Sequence, residues 1–311
     1  MFPINMTFLE KSFRALRDDG ITSFGVRTLR YLNLWDPLWN TITSRYPDGR
    51  NIFTRDWDLL IVLDACRYDA FQDVVDSFSW IDELKPTRSV GSMSAEWTLK
   101  TFTKEHRDLI NDTVLVTGNI WTDEILNQSR ETGKYEDAID RGFPSWDTVT
   151  TEDLSYYEYT RGFINEKEKL HPDSRGSPHI LTDRAISVGR TQKFDRMIVH
   201  YMLPHKPIIA DALNWTPGEA MTEQLMTGPA QTRDLHEWEQ SYGPVNRGEI
   251  AWERLYDLYV KNLQFALEYV EILLNNVDAE DVIITSDHGE SFGEHGIWAH
   301  PFGFPMGPVK T

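Results

Sequence analysis

Apolar residues in this chain gather into short unbroken runs separated by helical stripes. Trp57-Asp58-Leu59-Leu60-Ile61-Val62-Leu63-Asp64 is one such run and Ile283-Ile284-Thr285-Ser286-Asp287-His288 another. Unbroken β-branched runs of this length are expected of parallel strands buried on both faces. Arg196 to Met202 and Val114 to Thr117 read as two more strands. Ala70 to Phe78 reads as a helix. Ala251 to Leu274 carries a strong helical stripe of Leu255, Leu258, Leu263, Leu267, Val270 and Leu274, and it feeds the strand at 281–286. Strands alternating with helices predict an α/β fold, a mainly parallel sheet sandwiched by helices.

The flanks of this pattern differ from its centre. Residues 1–50 alternate Phe8, Phe13, Leu16, Phe24, Val26, Leu29, Leu32 and Leu34 with Arg14, Arg17, Arg27 and Arg30. This predicts a peripheral amphipathic helical arm, either a flap on the main domain or a contact with a membrane surface or partner. The catalytic-size domain then runs over 51–311. Two polar, weakly periodic stretches read as insertions, at about 121–178 with short helices around Leu154–Glu166, and at about 209–248.

Charge narrows the partners. The chain has 49 Asp plus Glu against 31 Lys plus Arg, for a net charge of −18. Only 11 of the 31 basic residues are lysine. An acidic, lysine-poor surface suits a halophilic source, where salt screens self-repulsion. It argues against nucleic acid as the main partner, because phosphate neutralisation needs a basic face. The single cysteine, Cys66, excludes a disulfide framework and thiolate zinc clusters. No apolar run reaches the ~18 residues of a membrane span, and no secretory apolar core follows the first residues. A cytoplasmic protein is expected.

The chemistry lies where strands end. Asp64 closes the first run, Asp287 and His288 close the last, and Leu203-Pro204-His205-Lys206-Pro207 follows the strand at 196–202. Carboxylates and an imidazole at the carboxyl edge of a parallel sheet are a natural cation site. Between them, Ser89-Val90-Gly91-Ser92-Met93-Ser94-Ala95-Glu96-Trp97-Thr98-Leu99 reads as a Gly-Ser turn opening a helix. A hydroxyl there sits beside free backbone N–H groups, a good place for a phosphate or sulfate. A serine becomes a strong nucleophile only with a cation or base beside it. Glu290 reads as either a second layer to the site or a helix-starting charge, His200 as a core histidine, and Arg67 as the ion-pair partner of an acidic neighbour such as Asp69.

These segments together resemble the alkaline phosphatase/sulfatase superfamily, and more closely its short sulfatase-like haloarchaeal members. The resemblance rests on Leu63 to Asp69, Ser89 to Trp97, His200 to His205 and Ser286 to Pro301, and spans roughly 55–303. It implies a metal site above the carboxyl ends of the sheet, with Asp64, Asp287 and His288 as ligands. Leu99 and Thr101 fall at the family's offsets from Ser92, which makes Ser92 the implied nucleophile and metal-contacting hydroxyl in preference to Ser94. His205 and His300 match positions that touch the phosphate or sulfate group or a second ion.

Two departures redirect the chemistry. The chain has no Cys-x-Pro-Ser-Arg or Ser-x-Pro-Ser-Arg, so the formylglycine of true sulfatases is not expected. An Asp-His ligand pair favours zinc or manganese, with magnesium and calcium left open. One ion is expected and a second is open. The resulting expectation is a metal-dependent hydrolase of a small-molecule or glycan phosphate or sulfate ester. The alternatives are a phosphoglycerol- or phosphoethanolamine-type phosphotransferase acting on a glycan or lipid, and a non-catalytic glycan- or phosphate-binding relative.

Overall fold

A computed structural model describes residue 28 and residues 34–128, 139–160, 178–212, 215–218, 242–294, 297–305 and 307–310. The predicted arm over residues 1–50 thus falls mostly outside the described residues, as do much of 121–178 and most of 209–248.

Five strands form the sheet: β1 (Leu59–Asp64), β2 (Thr113–Thr117), β3 (Tyr156–Tyr159), β4 (Arg196–Pro204) and β5 (Val282–Ser286), in the order β3-β2-β4-β1-β5. Every pairing between them is parallel. All six residues of β1 are buried, which is why its sequence shows no polar alternation. Its successive side chains still point to opposite faces. Leu59, Ile61 and Leu63 pack into one core, and Leu60 and Val62 into the other.

Those two cores are the two helical layers. The first is filled from helices α2 (Tyr68–Val74), α6 (Pro178–Thr191) and α7 (Trp252–Leu274) through Ala70, Val74, Leu181, Ala185, Leu263 and Val270. The second is filled from α3 (Ser94–Thr101), α4 (Arg107–Asn111) and α5 (Ile120–Leu126) through Trp97, Ile110 and Leu126, with Phe102 just past the end of α3. Helix α7 begins within a residue of its expected start, because its leucine stripe is the face turned to the sheet. Outside these layers, α1 (Trp35–Thr43) turns Trp35 and Trp39 inward, donating from their indoles to Gly303 O at 2.6 Å and Glu96 Oε1 at 2.6 Å.

One expectation is corrected. Short helices were expected around Leu154–Glu166, yet Tyr156–Tyr159 is the edge strand β3, paired with β2. Three tyrosines in four residues favour a pleated edge over a helix. Glu158, buried there, is matched by Arg184 of α6 through two bonds of 2.6 and 2.8 Å. Among the described residues no helix is long and apolar enough to cross a membrane.

A small hairpin of β6 (Ser291–Phe292) and β7 (Trp298–Ala299) follows β5. Its register pairs Ser291 with Ala299, so the next residues outward, Glu290 and His300, become neighbours.

Candidate metal centre

Four strands deliver their ends to one place. Asp64 is the last residue of β1, Asn119 follows β2 by two residues, His205 follows β4, and Asp287-His288 follow β5. Function in open parallel sheets gathers at this edge. Just past Asp64 the chain turns through Ala65 with φ +59°, a left-handed conformation that a non-glycine residue rarely adopts. That turn aims the Ala65 N–H at Asp287 Oδ1, 3.0 Å away. The His288 N–H donates to the same oxygen at 2.8 Å.

With Oδ1 so occupied, Asp287 Oδ2 is left free to face inward. The His288 ring donates from Nδ1 to the Gly289 carbonyl at 2.8 Å, which points the lone pair of Nε2 at the same centre. From Nε2 it is 3.4 Å to Asp64 Oδ1, 3.4 Å to Asp287 Oδ2 and 3.3 Å to Ser94 Oγ. Asp64 Oδ1 and Asp287 Oδ2 are buried and have no hydrogen-bond partner in the protein. Burying two carboxylate oxygens with no hydrogen bond, and only the His288 ring at 3.4 Å to balance both, is costly. A divalent cation among them would remove that cost, so the donors present fit a metal ion.

The hydroxyl that meets this centre is that of Ser94. Ser94 opens helix α3, and its Oγ accepts from Asn119 Nδ2 at 3.0 Å while the same Nδ2 donates to Asp64 Oδ2 at 2.8 Å. Ser92, implied by the family offsets, points elsewhere. Its hydroxyl lies 2.7 Å from Glu96 Oε2 and 3.1 Å from the Pro301 carbonyl, and it accepts from the Phe304 N–H at 3.1 Å. The helix starts at Ser94, two residues later than the offsets suggest, and Gly91 lies pressed against it. A Cβ on Gly91 would stand 2.4 Å from Trp97 N. Asn119 was missed altogether, and its only signal was its place directly after a strand, in Thr117-Gly118-Asn119.

A second cluster adjoins the first. His205, Glu290 and His300 bring one ligand atom each to within 4.8 Å of one another, as do Asp64, Asp287 and His288. The β6–β7 hairpin sets His300 Nδ1 3.0 Å from Glu290 Oε1. The His300 ring is 4.4 Å from that of His288 and 4.9 Å from that of His205, so the two clusters share a wall of imidazoles. No helix starts at Glu290, and its carboxylate lies within this second cluster. His200 is fully buried, with Nε2 3.6 Å from Asp287 Oδ2. Arg67 forks onto Asp69 at 2.8 and 2.5 Å and reaches Glu294 at 2.5 Å, so its charge is spent within the scaffold.

Proton affinities follow from this crowding. Burial raises Glu290, but His300 and His205 outweigh it and hold it down at about 2. Burial works against the His288 imidazolium, yet Asp287 and Asp64 prevail and hold it up at about 9. In the metal-free protein the charge on His288 therefore stabilises the fold fully below its ordinary value of 6.5, and that contribution is lost as the pH rises through about 9. A cation can take Nε2 only after this proton leaves. Calorimetric metal titration at pH 7.5 in buffers of different ionisation enthalpy should show a proton released with the first ion, and heats independent of buffer would exclude His288 as a ligand.

No protein-family model matches the chain, and no curated protein matches it. Among solved structures it is similar to the crystal structure of the soluble domain of lipooligosaccharide phosphoethanolamine transferase A from Neisseria meningitidis. The TM-score is 0.50 at 13% sequence identity, over 81% of this chain and 73% of that one. The likeness is one of fold. It agrees with the expected α/β architecture of a mainly parallel sheet sandwiched by helices.

Proposed function

We propose that the chain is a metal-dependent phosphoester-cleaving enzyme that works through Ser94. The observation that carries this reading is the convergence of Ser94 Oγ, His288 Nε2 and the unpartnered Asp64 Oδ1 and Asp287 Oδ2 at one buried point. A divalent ion held there, with zinc or manganese best suited to the mixed oxygen and nitrogen donors, would favour the serine alkoxide and offset charge on the phosphoryl group.

Ser94 supplies the attacking oxygen, and Asn119 Nδ2 fixes its direction. Attack on phosphorus forms a Ser94–O–P bond as the bond to the leaving oxygen breaks. His205, Glu290 and His300 face the non-bridging oxygens and are suited to hold a second ion there. Transfer of the group from Ser94 to water completes hydrolysis. Transfer to a glycan or lipid hydroxyl is the second reading, and the fold shared with a phosphoethanolamine transferase domain favours it. Phosphate is preferred over sulfate because no formylglycine motif is present in the sequence.

The test uses metal-loaded protein with bis-p-nitrophenyl phosphate, p-nitrophenyl phosphate and p-nitrophenyl sulfate. Turnover of a phosphate ester is expected, with loss of about 10³-fold or more on chelation or in Asp287→Ala. Added ethanolamine or glycerol separates the readings, since a transferase forms the new ester and a hydrolase only phosphate. Equal activity in wild type and Asp287→Ala would refute the enzyme reading.

A further inference from the structure

Two side chains of helix α7, one helical turn apart, each grip a loop that carries site residues. Tyr259 is buried and its hydroxyl donates to the Ala65 carbonyl at 2.6 Å and accepts from the Arg67 N–H at 2.9 Å. It thereby pins both sides of the left-handed turn that follows Asp64 and aims a peptide N–H at Asp287. Asn262 is fully buried and holds the loop after β4. Its Oδ1 accepts from the Ile209 and Ala210 N–H groups at 3.1 Å each. Its Nδ2 is shared among the carbonyls of Pro204 and Pro207 at 3.2 Å and His205 at 3.4 Å.

No other side chain among the described residues makes hydrogen bonds of this kind to the peptide groups on both sides of His205. Tyr259 and Asn262 are i and i+3 on one helix, so they project from the same face. That helix is clamped to the sheet by Leu263, Ala266, Leu267 and Val270, and it cannot shift without opening the core. Neither residue touches the ligand atoms themselves.

We propose that Tyr259 and Asn262 are positioning residues with divided duties, Tyr259 setting the geometry of the Asp64–Asp287–His288 cluster and Asn262 that of the His205–Glu290–His300 cluster. The inference rests on the two-ion reading of the site. Outer partners of metal ligands change affinity by about 10- to 100-fold when removed, and here the change should fall on one ion at a time.

The experiment is calorimetric titration of the metal-free 311-residue chain with Zn²⁺. Asp287→Ala and His300→Ala identify which binding step belongs to which cluster. Tyr259→Phe keeps the ring that packs 5.0 Å from Phe292 and removes only the hydroxyl. It should weaken the Asp64 cluster by roughly 10-fold and leave the other within about twofold. Asn262→Ala should do the reverse. Thermal melting of each metal-free variant checks folding. If Asn262→Ala does not melt cooperatively, Asn262→Asp replaces it, keeping the acceptor for Ile209 and Ala210 and losing the donor. Equal weakening of both steps by either variant, or no change in either, overturns the division of duties. Wild-type uptake of fewer than two ions overturns the two-ion reading itself, and the inference with it, before any variant is made.

Discussion

Ser94→Ala is expected to lower phosphoester turnover by about 10³-fold or more, with metal binding weakened far less. The carboxylates and the imidazole of the first cluster remain in place in that variant, and only the attacking oxygen is gone. Ser92→Ala should behave in the opposite way. It removes a hydroxyl that ties Glu96, Pro301 and Phe304 together, so its cost falls on stability, about 1–2 kcal/mol for a buried hydrogen-bonded group. Steady-state kinetics and denaturant unfolding on the two variants separate these outcomes. A dead Ser92→Ala enzyme that folds normally, beside an active Ser94→Ala enzyme, would restore Ser92 as the nucleophile.

The second large effect is expected at Glu96. This carboxylate is fully buried. It accepts from the Ser92 N–H at 2.8 Å and from the Trp39 indole at 2.6 Å, and it forms an ion pair with Lys100, whose Nζ also donates to Thr43 Oγ1 at 2.9 Å. Burial pushes its proton affinity up, but Lys100 and Lys310 overcome this and hold it at about 2. Glu96→Ala leaves the Lys100 ammonium buried without its counter-charge, which typically costs 3–5 kcal/mol. The charge-neutral double variant, Glu96→Ala with Lys100→Met, should recover much of that loss. A shift of less than about 1 kcal/mol in urea unfolding for Glu96→Ala would show that the pair is not a structural clamp.

The sequence made some of these features legible and hid others for physical reasons. Strands β1 and β4 were plain because burial on both faces enforces continuous apolar runs, and α7 because its stripe faces the sheet. Strand β5 carries a similar run but is a half-buried edge strand, which corrects the expectation that both its faces are covered. Asp64, His205, Asp287 and His288 were legible as strand ends. Strand β3 was hidden because an edge strand with tyrosines and a paired glutamate shows no such run. The choice between Ser92 and Ser94 turned on where a helix begins. Extended Met93 precedes a helix that opens at Ser94, and a run of small residues such as Gly91-Ser92-Met93-Ser94 does not reveal which of its serines that will be. Glu290 was ambiguous for the reason that places it in the second cluster. It reaches its partner His300 only through a hairpin whose strands are two residues long. Asn119, Tyr259 and Asn262 bond to backbone or to neighbouring side chains, and such roles carry no spacing rule.

That hairpin also bears on how the site comes together. Glu290 and His300 are 10 residues apart, whereas Ala65 and Asp287, which meet in the first cluster, are 222 apart. Closing the longer loop costs roughly 3 kcal/mol more chain entropy. The second cluster's pair is thus a local contact, while the first cluster exists only once the sheet has assembled β1 beside β5. Loop length thus separates two clusters that share a wall of imidazoles, one begun by a local contact and the other made only by the finished sheet.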